Sequence, residues 1–210
     1  VFFISDRVII LWEGSVGFEG PYEEALRLKV PMIEEFLRSL DGFEVQLTGL
    51  LSREAFKMHY SAMLGSSSME KTSAALFSVR LNILYEALGA QASVEVLKAL
   101  GAYTNNYFNN IGGFSARHSR DEILTIFPRK DLEEAQKLVQ DFADELTNGV
   151  IDHIRDMVSA RSKAGTCFDI YIRAGVMEVS PDDSIEEIIE KGRLHQEIIS
   201  KYRCDFGGNE

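Results

Sequence analysis

Cysteine, proline and long apolar runs are all scarce in this chain. Its 210 residues include two cysteines, Cys167 and Cys204, four prolines and one tryptophan. Two cysteines so placed make neither a metal-ligand spacing nor a disulfide framework. No apolar stretch approaches the roughly 20 residues that span a bilayer, which speaks against direct membrane insertion. Positive charge is also short: 22 Lys and Arg stand against 33 Asp and Glu, for a formal net charge of −11. That balance excludes nucleic acid as the main partner, because phosphate binding rests on clustered Lys and Arg. It equally disfavours docking on an anionic membrane surface. A cytoplasmic location is the plain reading. Val1 opens inside an apolar run, with neither an initiator Met nor a helix cap, so the chain is expected to be a piece of something longer.

What remains is ordinary globular material, 45% apolar and 26% charged. The first forty residues read as a hairpin and two short helices. Residues 1–11 are β-rich, 12–15 form the turn, and 16–20 return. Helices are predicted over 22–28 and 31–40, with Ile33, Phe36, Leu37 and Leu40 on one face. That unit is too small to bury a core of its own. In the rest, helices are predicted over 53–64, capped by Ser52, and over 94–108, stopped by Asn109-Asn110 and Gly112-Gly113. A third begins after Asp131, breaks at Asn148-Gly149 and resumes over 150–160. The last opens at the Ser184/Glu187 capping box and runs to about Tyr202. Strands are predicted over 74–84, 114–118, 122–127 and 168–179. The order α, β, α, β-hairpin, α, β, α is an α+β pattern, with helices covering a mostly antiparallel sheet.

Two resemblances follow from particular residues. The run Ser5-Asp6-Arg7-Val8-Ile9-Ile10-Leu11-Trp12-Glu13-Gly14, then Val16, Glu19-Gly20-Pro21 and Glu23-Glu24, resembles the closing segment of an ABC-transporter ATPase domain. Val30-Pro31-Met32-Ile33-Glu34-Glu35-Phe36-Leu37 is similar to the tail of ATPases in Mla-type lipid transporters. The family's phosphate loop, G-x-x-x-x-G-K-[ST], is absent, and Ser66-Ser67-Ser68 lacks the glycines and Lys to replace it. The resemblance therefore implies ATP and Mg²⁺ for a domain upstream of Val1, and no cofactor for this stretch.

The second resemblance is to GGDEF domains, the diguanylate cyclase fold. Residues 47–56, Leu-Thr-Gly-Leu-Leu-Ser-Arg-Glu-Ala-Phe, are similar to the family's opening "LTGLxNRxxF". Glu95-Val96-Leu97-Lys98-Ala99-Leu100 resembles its second helix, Asp121 to Pro128 its "DEFxxxxP", and Asp131-Leu132-Glu133-Glu134-Ala135 the helix after it. Gly175 stands where the family has "SIGVA". The resemblances divide the chain into an ATPase remnant, 1–42, a degenerate GGDEF-like domain, 43–204, and a tail, 205–210.

A cyclase of this kind joins two GTP molecules, with two carboxylates holding divalent metal at the phosphates and two glycines admitting the nucleotide. The corresponding turn reads Ser119-Arg120-Asp121-Glu122-Ile123. Ser119 and Arg120 replace the glycines, and their side chains would fill the space where nucleotide packs. Asp121 remains, but its metal-binding partner aligns with Phe77, which cannot coordinate Mg²⁺. The guanine-reading positions fall on Tyr85 and Val94, and the product-inhibition pair falls near Asn110 and Gly113, with neither charge present. Asp121-Glu122 is then expected to be a solvated turn. His59, His118, His153 and His195 have no ligand spacing; only His118 lies near Asp121. Arg117, Arg120 and Arg129-Lys130 bracket the hairpin, where a small anion site is one reading, but Glu133-Glu134 close by make surface pairing the expectation for them. No catalytic, cofactor or metal set emerges.

The reading is a non-catalytic regulatory or protein-interaction region of an ABC-transporter ATP-binding subunit. It implies a permease and a partner ATPase subunit as partners, with a homodimer as another assembly, and a position peripheral to the inner membrane. Transport of lipid is implied by the Mla-like tail. The alternative is a sensor that binds a nucleotide or cyclic di-GMP without turnover; an active cyclase is the third. Residues 148–166 exceed the family's usual helix and are the candidate contact element, expected to be removable without loss of the fold.

Overall fold

The computed structural model describes residues 7–12, 15–21, 48–64, 71–79, 90–119, 121–152, 154, 156 and 169–202. Strand β1 (Arg7–Trp12) turns back into β2 (Ser15–Pro21) as an antiparallel hairpin, with Arg7 opposite Pro21 and Trp12 opposite Ser15. The helices expected over 22–28 and 31–40, the triple serine, both cysteines and the tail lie outside the described residues.

The main sheet has five strands in the order β4-β5-β3-β6-β7, antiparallel at every pairing. Its centre is β3 (Thr72–Val79), flanked by β5 (Glu122–Phe127) and β6 (Ile170–Val179). β4 (Phe114–Arg117) and β7 (Glu197–Tyr202) form the edges. Every residue of β3 except Ser78 is buried. Such a continuous apolar run, rather than an alternating one, is what a strand covered on both faces requires.

Successive side chains point to opposite faces, so β3 feeds two separate cores. Ala75, Phe77 and Val79 join Ile123, Phe127, Ile170 and Ile172 beneath α2 (Ala90–Asn109) and α3 (Leu132–Glu145). Ala74 and Leu76 join Leu124, Ile126 and Met177 beneath α1 (Arg53–Leu64) and α4 (Ile185–Leu194). The helix starts follow their caps. The Ala55 amide donates to Ser52 Oγ (3.1 Å), and capping boxes close at Asp131/Glu134 and Ser184/Glu187. α2 starts four residues earlier than its apolar stripe predicts, and it ends where the glycines say. Gly112 takes φ +82°, and the Gly113 amide reaches back to the Phe108 carbonyl at 2.9 Å.

Three expectations need correction. Asn148-Gly149 does not break the helix: residues Leu146–Val150 form a π-turn and helix continues at Ile151 and Asp152. Leu146, Ile151 and Ile154 are buried around that turn, so packing overrides two poor helix formers. For the same reason residues 148–166 are not removable as a unit, because their first turns supply core. Finally, the helix from Ser184 stops at Leu194, and Glu197–Tyr202 is a strand on the outer edge of β6. β-Branched Ile198 and Ile199 suit that edge, while Lys191 and Arg193 sit favourably in the last helical turn.

Candidate functional site

The β4–β5 hairpin is built as its turn residues predict, and it presents Ser119 and Asp121 half-buried at its tip. Backbone bonds set its position: the His118 amide donates to the Glu122 carbonyl (2.9 Å), and the Val79 amide donates to that of Asp121 (3.0 Å). Two arginines brace the same tip. Arg117 Nε donates to the Ser119 carbonyl at 2.8 Å, and an Arg53 guanidinium nitrogen donates to the His118 carbonyl at 2.6 Å.

Glu122 is the surprise. A solvated turn residue is expected there, yet Glu122 is 8% exposed and ion-paired. Arg193, from the last turn of α4, donates Nε to one carboxylate oxygen and Nη2 to the other, both at 2.8 Å. Ser119 Oγ adds a third bond at 2.8 Å. This bidentate geometry is the strongest that a carboxylate and guanidinium can form. Burial pushes the Glu122 carboxyl up, but the hydrogen bonds from Arg193 and Ser119 and the charges of Arg193 and His118 outweigh it and hold the group below its usual value. The Arg193 guanidinium, bonded to Glu122, is held still more firmly charged, with Glu190 contributing through a 2.6 Å bond. Arg193 escapes sequence reasoning because a helix extended to Tyr202 places it mid-helix, away from any terminus.

Arg193→Ala is expected to cost about 2 kcal/mol, since it strands a buried carboxylate. The partly exposed guanidinium, 42% accessible, keeps the loss below that of a fully buried pair. The pH dependence has a definite sign. Glu122 is more acidic folded than unfolded, so the pair's contribution is complete above the ordinary carboxylate pKa and fades as pH falls through the lower folded value. Urea melts should therefore separate the two proteins at neutral pH and bring them together once the pH falls below the lowered folded value of Glu122. An unchanged gap at low pH would show that Arg193 acts by packing alone.

Phe77 lies deep in the interior, 0% exposed, stacked on Phe108 (ring centroids 5.4 Å) and tilted against Phe142 (5.2 Å). In the sheet it stands opposite Ile123. Asn110 is exposed at the end of α2, and Gly113 is buried where a Cβ would press on the Phe108 and Ile126 carbonyls at 3.1 and 3.2 Å. Arg120 and Tyr85 lie outside the described residues; Val94 lies in α2, with its side chain not described.

The described histidines are dispersed. His59 rests beside Phe114, with ring centroids 5.6 Å apart, and the His195 ring bonds the Lys191 carbonyl at 2.9 Å; His153 is outside the described residues. Among the described residues no three His, Cys, Asp or Glu side chains gather where they could hold a metal ion. Lys130 pairs with Glu134 at 3.6 Å as expected, but Arg117 is no surface cation: it is 7% exposed and braces the hairpin tip. No helix among the described residues is long and apolar enough to cross a membrane.

No protein-family model matches this chain, and no curated protein matches it. Solved structures do. The GGDEF domain of DgcB from Caulobacter crescentus, in complex with c-di-GMP, is 17% identical over 70% of this chain and 84% of its own, with a TM-score of 0.55. The FimX GGDEF domain from Pseudomonas aeruginosa is 16% identical over 71% and 88%, with a TM-score of 0.50. Vibrio cholerae LapD, an S helix-GGDEF-EAL protein bound to c-di-GMP, is 16% identical over 75% of this chain and 35% of its own, at 0.52. The chain has the GGDEF domain fold.

Proposed function

We propose that this chain is a catalytically silent GGDEF-fold domain that acts by recognition, binding a guanine nucleotide or cyclic di-GMP without converting it. The observation that carries the silent half is the buried, apolar Phe77 at one metal position, together with the Glu122–Arg193 pair at the turn. Divalent metal at phosphates needs free oxygen ligands. Phe77 offers none, and both Glu122 oxygens accept hydrogen bonds from Arg193. Asp121 is then the one carboxylate left at the metal position, and among the described residues no second and third ligand gathers beside it, so the turn does not fit a divalent cation and no cyclising step runs through one.

Support for the recognition half comes from what is kept. The five-stranded sheet and the signature hairpin persist, and two proteins of the same fold, DgcB and LapD, were captured with c-di-GMP. Asn110 and Gly113 lack the charges of the usual product-binding pair, so a dinucleotide here would be held by other groups. Isothermal titration of the 210-residue chain with GTP and with cyclic di-GMP is expected to give saturable heat for at least one. A parallel assay with radiolabelled GTP and Mg²⁺ is expected to give no product. Silence toward both ligands at millimolar concentration removes the recognition half, and any labelled product removes the silent half.

A second reading concerns the division into a 1–42 remnant and a 43–204 domain. Residues Arg7–Trp12 and Ser15–Pro21, which carry the resemblance to the end of an ABC ATPase, pair as an antiparallel hairpin, and the reading rests on their sequence. In this reading the GGDEF-fold unit is the regulatory appendage of an ATP-binding subunit. It would bias the opening and closing of the ATPase dimer by binding one state better than the other. Its partners would be the permease and the second ATPase subunit at the cytoplasmic face of the inner membrane, ATP and Mg²⁺ belonging to the upstream domain, and lipid would be the cargo. A phosphate-loop and ABC-signature domain encoded directly upstream of Val1 is the expected finding; a different upstream domain removes this reading.

A further inference from the structure

On the α4 side of the main sheet, the helical cover ends before the sheet does. Gly192 of α4 lies on Gly175 of β6, and the helix stops at Leu194. Arg173 and Tyr171 come next along that face of β6, since Ile170, Ile172 and Ala174 point into the other core. β7 extends the face sideways. Ile198 stands opposite Arg173 and Lys201 opposite Tyr171, with a bulge between them absorbing the extra residue. Ile198 is 51% exposed, and Leu194, just before it in the chain, is 81% exposed. Lys201 is exposed and Arg173 half-buried, and neither makes an ion pair or hydrogen bond with a described residue. The acids close by are engaged or face away. Asp169 accepts from the Tyr171 hydroxyl at 3.0 Å, Glu122 and Glu190 hold Arg193, and Glu197 stands opposite Ala174 on the other face.

We propose that this patch docks an acidic amphipathic helix of another protein, with aliphatic side chains on Ile198 and Leu194 and carboxylates on Arg173 and Lys201. Helices α1 and α4 already form the layer on this face, so a further helix beside the end of α4 continues it. Exposed apolar groups rimmed by charge mark protein-docking surfaces. Charge selects the occupant. The chain carries −11, so two cations without counter-charge attract acid here while the rest of the surface repels it. A second copy fits less well. Patch on patch sets cation against cation, and the exposed acids of α3, Glu133, Asp141 and Asp144, have no exposed large apolar side chain on their helix. Two cations are also too few to hold an anionic bilayer against that net charge. None of these residues belongs to the hairpin turn or the Phe77 position, so docking here is independent of nucleotide binding.

The probe is an acetylated and amidated helix of about 14 residues of leucine, glutamate and alanine, with leucines and glutamates on one stripe. It is titrated into the isotopically labelled 210-residue chain. Saturable shifts at the amides of Arg173, Ile198 and Lys201 are expected, with a Kd below about 1 mM. Glutamine in place of the glutamates should weaken binding about fivefold or more, as should Lys201→Glu in the chain. Ile198→Ser should do the same by removing apolar contact. Met58→Ser, at an exposed apolar position on α1, should change nothing. Circular dichroism checks each fold; if Ile198→Ser does not fold, Lys201→Glu decides. The proposal is overturned if no shift appears at about 5 mM peptide, if the glutamine peptide binds equally, or if folded Lys201→Glu keeps the parent affinity. Met58→Ser weakening binding as much as Ile198→Ser also overturns it. Phosphatidylserine vesicles moving the same amides would assign the patch to a membrane, and self-association abolished by Lys201→Glu would assign it to a second copy; either result overturns it too.

Discussion

Phe77→Asp is expected to unfold the main sheet rather than restore a metal ligand. The ring is fully buried between Phe108 and Phe142, at centroid distances of 5.4 and 5.2 Å. Truncating a phenylalanine in such a place costs about 3–5 kcal/mol in lost burial and residual cavity. Aspartate adds the cost of an unpaired carboxyl in a dry interior, several kcal/mol more unless it takes up a proton. The sum approaches the whole stability of an ordinary domain, about 5–15 kcal/mol. Circular dichroism should therefore show no cooperative melt for Phe77→Asp at neutral pH. Phe77→Leu, which keeps much of the volume, should stay folded with a lowered Tm. A Phe77→Asp protein that melts like the parent would mean that this side chain is not interior. A functional consequence follows: a metal-holding carboxylate cannot be returned to this fold by one substitution, because its neighbours are now packed as core.

The elements most legible in the sequence are those specified by neighbours a few residues away. Ser184 with Glu187 and Asp131 with its following acids mark helix starts, and the polar turn between two β-rich runs marks the hairpin. The apolar faces of α1 are visible because Phe56, Tyr60 and Met63 recur at helical spacing. What local pattern cannot show is pairing across long separations. Residues 184–202 carry Ile185, Ile188, Ile189, Ile198 and Ile199, which suits one long helix, and only the open edge of β6 makes the final six a strand. Glu122 and Arg193 are 71 residues apart, so their pairing has no sequence signal, and Asp121-Glu122 reads as a solvated turn. Phe77 is the exception: the resemblance to GGDEF domains points at this position, and its apolar nature already says core.

The second large effect is expected at Gly175, where β6 passes under α4. A Cβ built there would overlap the Gly192 carbonyl oxygen and lie 2.9 Å from its carbonyl carbon. The obstacle is helix backbone, which cannot rotate aside as a side chain can. Gly192 is the other half of the contact. A Cβ on it would lie 2.6 Å from Leu76 Cβ and 2.9 Å from Met177 Cε. A glycine inside a helix costs roughly 1 kcal/mol relative to alanine, so this one is retained against propensity for the sake of close approach. Gly175→Ala should force α4 off the sheet and loosen the Leu76–Met177–Ile188–Ile189 core. Overpacking of this kind costs about 3 kcal/mol when backbone must shift, which for a chain of this size lowers Tm by roughly 6–12 °C. Gly192→Ala should cost less, because the methionine end can move, although Leu76 cannot. Arg193 rides on the same helix, so the Gly175→Ala protein should also lose the Glu122 pair and its acid-dependent stability. Gly175→Ala melting at the parent temperature, with the pH dependence intact, would show that α4 does not rest on β6 as closely as described.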